Sequence, residues 1–386
     1  MNKNKFPLHT FHSIETPFYY YDIELLNQTI KAIETQIEGK PFYIHYALKA
    51  NTNSRLLQHI AKKGFGADCV SGNEILKAIE CGFNPQDIAF AGVGKTDKEI
   101  AIALENDIFS FNVESIPELY AINDLAKAKN KIAKIALRIN PNVDAQTHSY
   151  ITTGLNENKF GLEEDNIPEV INILPTLTSL KLTGLHFHIG SQITELSSFK
   201  SLCGKINDLQ TYFESNGIWL NHINVGGGLG INYENPDKQP IADFSNYFKL
   251  FSSHLKLREE QKLHFELGRS VVAQCGSLIS RVTYLKKGVK KNFVILDAGM
   301  TDLIRPALYQ AYHHIENLTS INKEQIAYDI VGPICESSDT FAKEFKLNKT
   351  QRGDIVAIRS VGAYGEVMAS QYNCREIAKS YFSDTI

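Results

Sequence analysis

The chain has 386 residues, of which 43% are hydrophobic and 22% are charged, and its formal net charge is -3. This composition is typical of a folded globular protein and excludes a disordered chain, and the length suits a barrel of about 250 residues with a second domain. Lysine and arginine are scattered and no run of about 18 apolar residues occurs, so we expect neither nucleic acid nor a membrane as a partner.

Segments rich in Val, Ile, Phe and Tyr alternate with amphipathic segments over the first 270 residues. The amphipathic segments predict helices, and the sequence Ser-Ile-Pro-Glu at 115–118 is typical of a capped helix start. The apolar segments predict about eight strands, the number that closes a (β/α)8 barrel. The predicted helices include 53–63, 72–81, 96–105 and 196–215, and the predicted strands lie near 42–48, 65–70, 87–92, 108–113, 134–140, 180–189, 222–227 and 262–267.

The pattern changes after about residue 270 to strands joined by short turns, at 278–284, 292–296, 326–330 and 355–358. The fold class we predict is therefore α/β, a TIM-type barrel followed by a sandwich-like or barrel-like β domain that also takes the amino-terminal segment. We expect the barrel domain to span 20–270 and the β domain to combine 1–19 with 271–386.

The cysteines and the start of the chain bear on metal chemistry and location. Six cysteines are widely separated without a C-x-x-C pair, so we expect no metal site. We expect most of them to be buried thiols, with Cys335 as the exception. Residues 1–7 have no apolar stretch behind their charges, and we expect a cytoplasmic protein.

Reactive side chains recur at the carboxyl ends of the predicted strands, which form one face of a parallel barrel. Lys49 follows the first strand, where buried surroundings would disfavour its charged form and favour imine formation; the alternative is a solvated lysine. Asp68 and Glu266 occupy strand ends two and eight, and each is also compatible with a structural position, as a turn residue or an ion-pair partner.

His186 and His188 are expected on the same face of the sixth predicted strand, 180–189, because strand side chains alternate. The pair is compatible with a metal site, with one ring stacked on a planar cofactor while Ser191 binds its phosphate, or with simple packing. The glycines at 226–230, and Gly268 beside Arg269, are typical of turns whose N-H groups bind phosphate.

These residues match the requirements of pyridoxal 5'-phosphate, which needs a lysine for the imine, a planar imidazole to stack on its ring, turns that bind its phosphate and a carboxylate at its ring nitrogen. Together with further motifs along nearly the whole chain, they make the sequence resemble the fold-type III pyridoxal-phosphate-dependent decarboxylases, most closely the members that convert meso-2,6-diaminopimelate to L-lysine and CO2. The motifs are YALKAN at 46–51, HFHIGSQ at 186–192, GGG at 226–228, ELGR at 266–269, DAGMTDLIRPALY at 297–309, CESSD at 335–339 and GAYG at 362–365.

The resemblance implies a position for each group around the cofactor. It implies that Lys49 binds the cofactor covalently, His188 stacks on its ring, Glu266 faces the ring nitrogen and Asp68 lies nearby. The residues implied around the phosphate and adjacent substrate are Ser191, Gly227, Gly228, Gly268, Arg269 and Tyr364.

The resemblance also implies how the amino-acid substrate is bound. Arg305 and Tyr309 match residues that hold the distal carboxylate, although their spacing also fits two neighbours on a helix surface. Glu336 matches the residue that meets the distal amine, and Cys335 the general acid, which usually enters from the partner subunit of a homodimer.

Four other functions remain open from the sequence. The substrate of a related decarboxylase could be ornithine, arginine or carboxynorspermidine. A racemase is disfavoured because it usually has arginine where Glu266 stands. A pyridoxal-phosphate carrier is disfavoured because a carrier needs no second domain of over 100 residues, and a metal hydrolase rests on the two histidines alone.

Overall fold

The structure is a computed structural model that describes residues 6–143 and 159–386. Contacts between residues divide the chain into two compact units. The barrel unit contains Ile30–Gly230 and Asp243–Gly268, and the sheet unit contains the residues up to Thr29, Ile231–Ala242 and Arg269–Ile386. The domain boundaries given above stay a prediction.

Parallel strands in chain order close the barrel, with the last strand paired to the first. The eight predicted barrel strands and the fold class are confirmed, but several strands end earlier than predicted because the apolar runs continue into buried loops. In chain order the strands are β1 (Phe18–Tyr21), β2 (Phe42–Ala47), β3 (Gly66–Cys69), β4 (Ile88–Phe90), β5 (Ser110–Val113), β6 (Ala133–Arg138), β7 (Leu180–His186), β8 (His222–Asn224), β9 (Lys262–Leu267), β10 (Gly276–Lys287), β11 (Asn292–Leu296), β12 (Ile315–Asn317), β13 (Gln325–Val331), β14 (Thr340–Asn348), β15 (Ile355–Ile358) and β16 (Lys379–Phe382).

Several helices begin where a side chain satisfies a free backbone N-H group, namely those that start at Ser54, Gly72, Asp97, Ile116 and Phe244. The Ser115 hydroxyl accepts from the N-H of Glu118 at 3.3 Å, as predicted for this helix start, but the Glu118 carboxylate accepts from the N-H of Glu114 and pairs with Lys95. Every helix within the described ranges is too short or too polar to cross a bilayer. The helices are α1 (Leu8–Phe11), α2 (Ile23–Ile37), α3 (Ser54–Ala61), α4 (Gly72–Glu80), α5 (Asp97–Glu105), α6 (Ile116–Ala128), α7 (Ile167–Ile173), α8 (Ser197–Ser215), α9 (Phe244–His254), α10 (Arg269–Val272) and α11 (Arg305–Tyr309).

A mixed sheet forms the sheet unit, in the order β12-β15-β10-β11-β13-β14. The amino-terminal strand β1 pairs antiparallel with β10 and parallel with β16, which confirms that the start of the chain joins this sheet. Strands β12, β14 and β16 were not predicted from the sequence. Phe6, Phe11, Phe18 and Tyr20 pack together with Ile279 in the core of this unit.

Histidine and aromatic rings fill the barrel interior near the amino-terminal strand ends. The carbonyl of Asp87 lies 3.0 Å from Nδ1 of His45, so that nitrogen is the donor, and Nε2 of His45 then accepts from Nδ1 of His264 at 2.7 Å. The rings of His222 and Phe109 lie 4.8 Å apart in the same cluster. Hydrogen bonding thus fixes the neutral forms of two of these buried imidazoles.

Candidate active site

Lys49 lies in a single 3-10 turn, 48–50, directly after β2. The hydroxyl of Tyr46 donates to the carbonyl of Asn51 at 3.0 Å and closes the turn around the lysine. Its Nζ lies 3.2 Å from Oδ2 of Asp68, the third residue of β3. The Lys49 side chain is 38% exposed while that of Asp68 is fully buried, so a small molecule can reach the amine from the solvent side.

The Asp68 carboxylate has two unlike oxygens. Oδ2 pairs with Lys49, whereas Oδ1 is buried and has no hydrogen-bond partner among the described residues. Burial, reinforced by the charge of Glu266, raises the pKa of Asp68, and the ammonium of Lys49 only partly opposes this. An orphaned buried oxygen is unusual in a folded protein and indicates a position where a bound group would supply the missing donor.

Glu266, near the carboxyl end of β9, is held by three side chains from three other strands. Its Oε1 accepts from the amide groups of Asn112 at 3.1 Å and Asn224 at 2.8 Å, and its Oε2 accepts from Nε2 of His186 at 3.0 Å. A carboxylate offers about four lone-pair sites, so one more donor fits. Burial alone would raise the pKa of Glu266, but His186 and Lys49 outweigh it and hold this pKa well below the usual range.

His186 and His188 have different partners although they were predicted to share a face. His186 ends β7 and bonds to Glu266, while His188 follows the strand and accepts the N-H of Gly227 at its Nδ1, 3.3 Å away. Burial, together with the charges of Lys49 and Arg138, lowers the pKa of His188 well below its ordinary value, so its ring is neutral. Residues 6–143 and 159–386 contain no group of three His, Cys, Asp or Glu side chains arranged to hold a metal ion, so the metal interpretation has no geometric support there.

The glycine turn after β8 requires glycine because the backbone passes very close to its neighbours. A Cβ on Gly227 would lie 2.0 Å from the carbonyl oxygen of Glu266, and Gly228 has φ of +109°, which side chains other than hydrogen rarely allow. Gly268 serves a related purpose, since a Cβ there would press on Ala47 and Ala50 at 3.1 and 3.0 Å, beside the Lys49 turn. Ser191 is half-buried in the loop after β7.

The remaining predicted residues belong to the sheet unit. The guanidinium of Arg269 lies over the ring of Tyr364 at 4.9 Å, and Tyr364 has φ of +58°, a strained conformation of the kind that concentrates at functional sites. Arg305 and Tyr309 are the first and last residues of α11, the arginine buried and the tyrosine half-buried.

Cys335 and Glu336 are adjacent and exposed in the segment between β13 and β14. The backbone N-H of Cys335 donates to the side-chain oxygen of Asn373 at 3.4 Å, and the hydroxyl of Tyr372 donates to Glu336 at 2.6 Å. Cys374 is also exposed, whereas the other four cysteines are buried as expected.

Several residues that contact the predicted ones were not identified from the sequence, Asn112 and Asn224 in the barrel unit and Tyr233 and Tyr372 in the sheet unit, and the function of His186 was left open. One signal was present for the two asparagines. Each lies in a buried strand, where an amide must find a hydrogen-bond partner, and that partner is Glu266 for both.

Comparisons with known proteins agree with this geometry. The family model described as pyridoxal-dependent decarboxylase, pyridoxal binding domain, matches residues 24–273. Diaminopimelate decarboxylase of Bacteroides thetaiotaomicron is 57% identical over 385 residues, covering 100% of both chains. Diaminopimelate decarboxylase of Helicobacter pylori strain J99 is 43% identical, covering 95% of this chain and 89% of the relative.

Solved structures match nearly the whole chain as well. The crystal structure of diaminopimelate decarboxylase from Helicobacter pylori complexed with L-lysine has a TM-score of 0.92 at 41% identity, covering 97% of this chain and 93% of that one. The arginine decarboxylase of Paramecium bursaria Chlorella virus has a TM-score of 0.87 at 21% identity, covering 99% of this chain and 100% of that one, and shows a shared fold alone.

Proposed function

This chain belongs to the family of pyridoxal-dependent decarboxylases, and from this premise we propose that it is a carboxy-lyase acting on meso-2,6-diaminopimelate. Its cofactor is pyridoxal 5'-phosphate, and its products are L-lysine and CO2, which makes this the last step of lysine biosynthesis. Full-length identity of 57% to a diaminopimelate decarboxylase, and similarity to a structure that binds L-lysine, support this substrate.

The ionised Glu266 with one lone-pair site to spare is the observation on which the proposal depends most. When bound, the cofactor supplies an electron-accepting ring that takes up charge as the carboxyl group leaves. Glu266 would keep the ring nitrogen protonated, because a carboxylate with a strongly lowered pKa does not take that proton itself. His186, Asn112 and Asn224 fix the carboxylate for this purpose.

We assign the other barrel residues to holding the cofactor. Lys49 is the covalent attachment point. The unpartnered Oδ1 of Asp68 would accept a hydrogen bond from the bound cofactor. The neutral ring of His188 would stack on the cofactor ring without adding charge. We place the phosphate and the adjacent substrate with Ser191, Gly227, Gly228, Gly268, Arg269 and Tyr364.

We assign substrate recognition to Arg269, Arg305, Tyr309, Glu336 and Tyr364. The distal end of the substrate has a carboxylate and an amine, and a site with both counter-charges in place rejects analogues that leave its polar groups unpaired. Cys335 would donate the proton that replaces the carboxyl group at the α-carbon. Its exposure in a single chain fits the proposal that it acts in the site of a partner subunit.

The homodimer and the cytoplasmic location are part of the proposal. Mixing inactive Lys49→Ala and Cys335→Ala subunits tests shared sites, because a mixed dimer contains one site with both residues intact. Random exchange should then restore about a quarter of the wild-type activity. No recovery from dimers shown to exchange subunits would contradict shared sites, and cell fractionation would check the location.

The central experiment combines borohydride reduction of the holoenzyme, peptide mapping and a CO2-release assay. We expect the reduced cofactor on Lys49, and CO2 from meso-2,6-diaminopimelate but not from ornithine, arginine or carboxynorspermidine. If Lys49 is labelled but CO2 is released from ornithine, arginine or carboxynorspermidine and not from meso-2,6-diaminopimelate, the proposed substrate is wrong. Labelling without any turnover would favour the carrier alternative.

A further inference from the structure

Two guanidinium groups of the sheet unit converge on one phenol oxygen. NH1 of Arg269 donates to the hydroxyl oxygen of Tyr233 at 2.6 Å, and NH1 of Arg305 donates to the same oxygen at 3.0 Å. The two guanidinium carbons also lie 5.9 and 5.2 Å from the centre of the Tyr233 ring. Both arginines are buried, where two like charges repel strongly unless an electron-rich group lies between them.

His313 fixes the second hydrogen of the Arg305 NH1 group. Nδ1 of His313 lies 2.9 Å from the carbonyl oxygen of Arg359, which only accepts, so Nδ1 bears the proton. Nε2 of His313 therefore has a lone pair and accepts from NH1 of Arg305 at 3.0 Å. Burial and the charge of Arg305 lower the pKa of His313 to about 3, so this acceptor stays neutral.

Both hydrogens of the Arg305 NH1 group are thus used, one by Tyr233 and one by His313. Within residues 6–143 and 159–386, the Nε and NH2 groups of Arg305 have no hydrogen-bond acceptor. Those two groups form the edge of a guanidinium that binds a carboxylate with two parallel hydrogen bonds. Tyr233 and His313 together prevent the side chain from rotating that edge away.

The hydroxyl of Tyr233 is itself unusual because both of its lone pairs receive cationic donors. Its own hydrogen has no acceptor among the described residues. Burial would raise the pKa of Tyr233, but the charges of Arg269 and Arg305 outweigh burial and lower it. The oxygen is therefore electron-rich and balances part of the paired positive charge.

We propose that Tyr233 is a positioning residue that holds Arg269 and Arg305 at one oxygen and thereby presents Arg305 to the distal carboxylate of the substrate. The inference rests on the proposed function, because that function supplies the carboxylate. L-Lysine keeps this carboxylate after the reaction, whereas 1,5-diaminopentane is L-lysine without it. Only ligands that have the distal carboxylate should then depend on the Tyr233 hydroxyl.

The test is the Tyr233→Phe variant, which removes one oxygen and keeps the ring over which both guanidinium groups lie. Calorimetric titration of the holoenzyme should show L-lysine bound about ten- to a hundredfold more weakly, the effect of losing hydrogen bonds to a charged group. Affinity for 1,5-diaminopentane should be unchanged, and KM for diaminopimelate should rise more than kcat falls. Tyr312→Phe, at an exposed tyrosine, is the matched control and should match the wild type.

Equal weakening for both ligands, or no change for either, would overturn the positioning assignment. Wild-type protein that releases no CO2 from diaminopimelate would instead overturn the proposed function. If Tyr233→Phe does not fold, ultraviolet difference titration of the wild type is the second test, since two cationic donors at one phenol oxygen favour its ionisation below the usual value of about 10. A wild-type protein with no such tyrosine contradicts the proposal.

Discussion

Protonation of the buried His222 should destabilise the barrel in mild acid. Burial, reinforced by electrostatic interactions with His45, His186 and Lys262, lowers its pKa from the ordinary 6.5 to about 3. The unfolded chain therefore binds a proton at His222 below about pH 6.5, whereas the folded chain does not until about pH 3. Stability contributed by this difference is present in full above pH 6.5 and is lost as the pH falls through this window.

The size of the effect follows from the width of that window. At pH 5 the pH lies about 1.5 units below the pKa of His222 in the unfolded chain. Protonation therefore stabilises the unfolded state by about 2 kcal/mol relative to the folded state, at 1.36 kcal/mol per unit. The variant His222→Phe removes the titrating group without breaking a hydrogen bond of Nε2, which has no partner among the described residues. The cost of packing the larger ring against Gly184 is the same at both pH values and cancels from the difference. Between pH 7.5 and pH 5, we expect the free energy of unfolding to fall by about 2 kcal/mol less for this variant than for the wild type.

Urea unfolding of the holoenzyme at both pH values measures this difference, with His254→Gln as the control. His254 is exposed at the end of α9, so its replacement should leave the pH dependence of the wild type unchanged. Equal losses of stability for His222→Phe and the wild type would refute the reasoning, since they would mean that the folded protein protonates His222 without penalty.

Two further predictions concern the site. Gly227→Ala should weaken cofactor binding at least tenfold, because its Cβ would lie 2.0 Å from the carbonyl oxygen of Glu266 and force the turn apart. Cofactor titration measures this, and the loop variant Gly94→Ala, where no atom lies near the added Cβ and φ is not positive, controls for the lost glycine. Cys335→Ser should lower kcat by about a hundredfold or more, because a hydroxyl is a weaker proton donor than a thiol. Cys374→Ser, at the other exposed cysteine, is the control and should keep a kcat near that of the wild type. Equal effects of the two changes would show that Cys335 is not the proton donor.

The sequence predicts the barrel well because its strands are buried on both faces and therefore appear as continuous apolar runs. The predicted ends are less accurate, since Phe187 and Ile189 are buried beyond the last residue of β7. The strand β14 was missed because its residues are mostly polar or charged on the exposed face, and β12 because it has only three residues.

The site is predictable where a residue type has a specific chemistry at a strand end, as for Lys49 and Glu266. Partners such as Asn224 and Tyr233 could not be predicted, because an asparagine or tyrosine has no distinctive spacing and acquires its function from residues far away in the chain. Asn224 meets Glu266 across 42 positions, and Tyr233 meets Arg305 across 72. Only the folded arrangement shows these contacts.

The pairing of β1 has a consequence for synthesis on the ribosome. Phe18 lies opposite Ile279 and beside Lys379, so this strand must await partners made more than 250 residues later. Closing such a long loop is entropically costly and slow compared with local pairing. Until then the aromatic side chains of β1 are exposed to other chains, so we expect a nascent polypeptide that stops before β10 to recruit chaperones or aggregate.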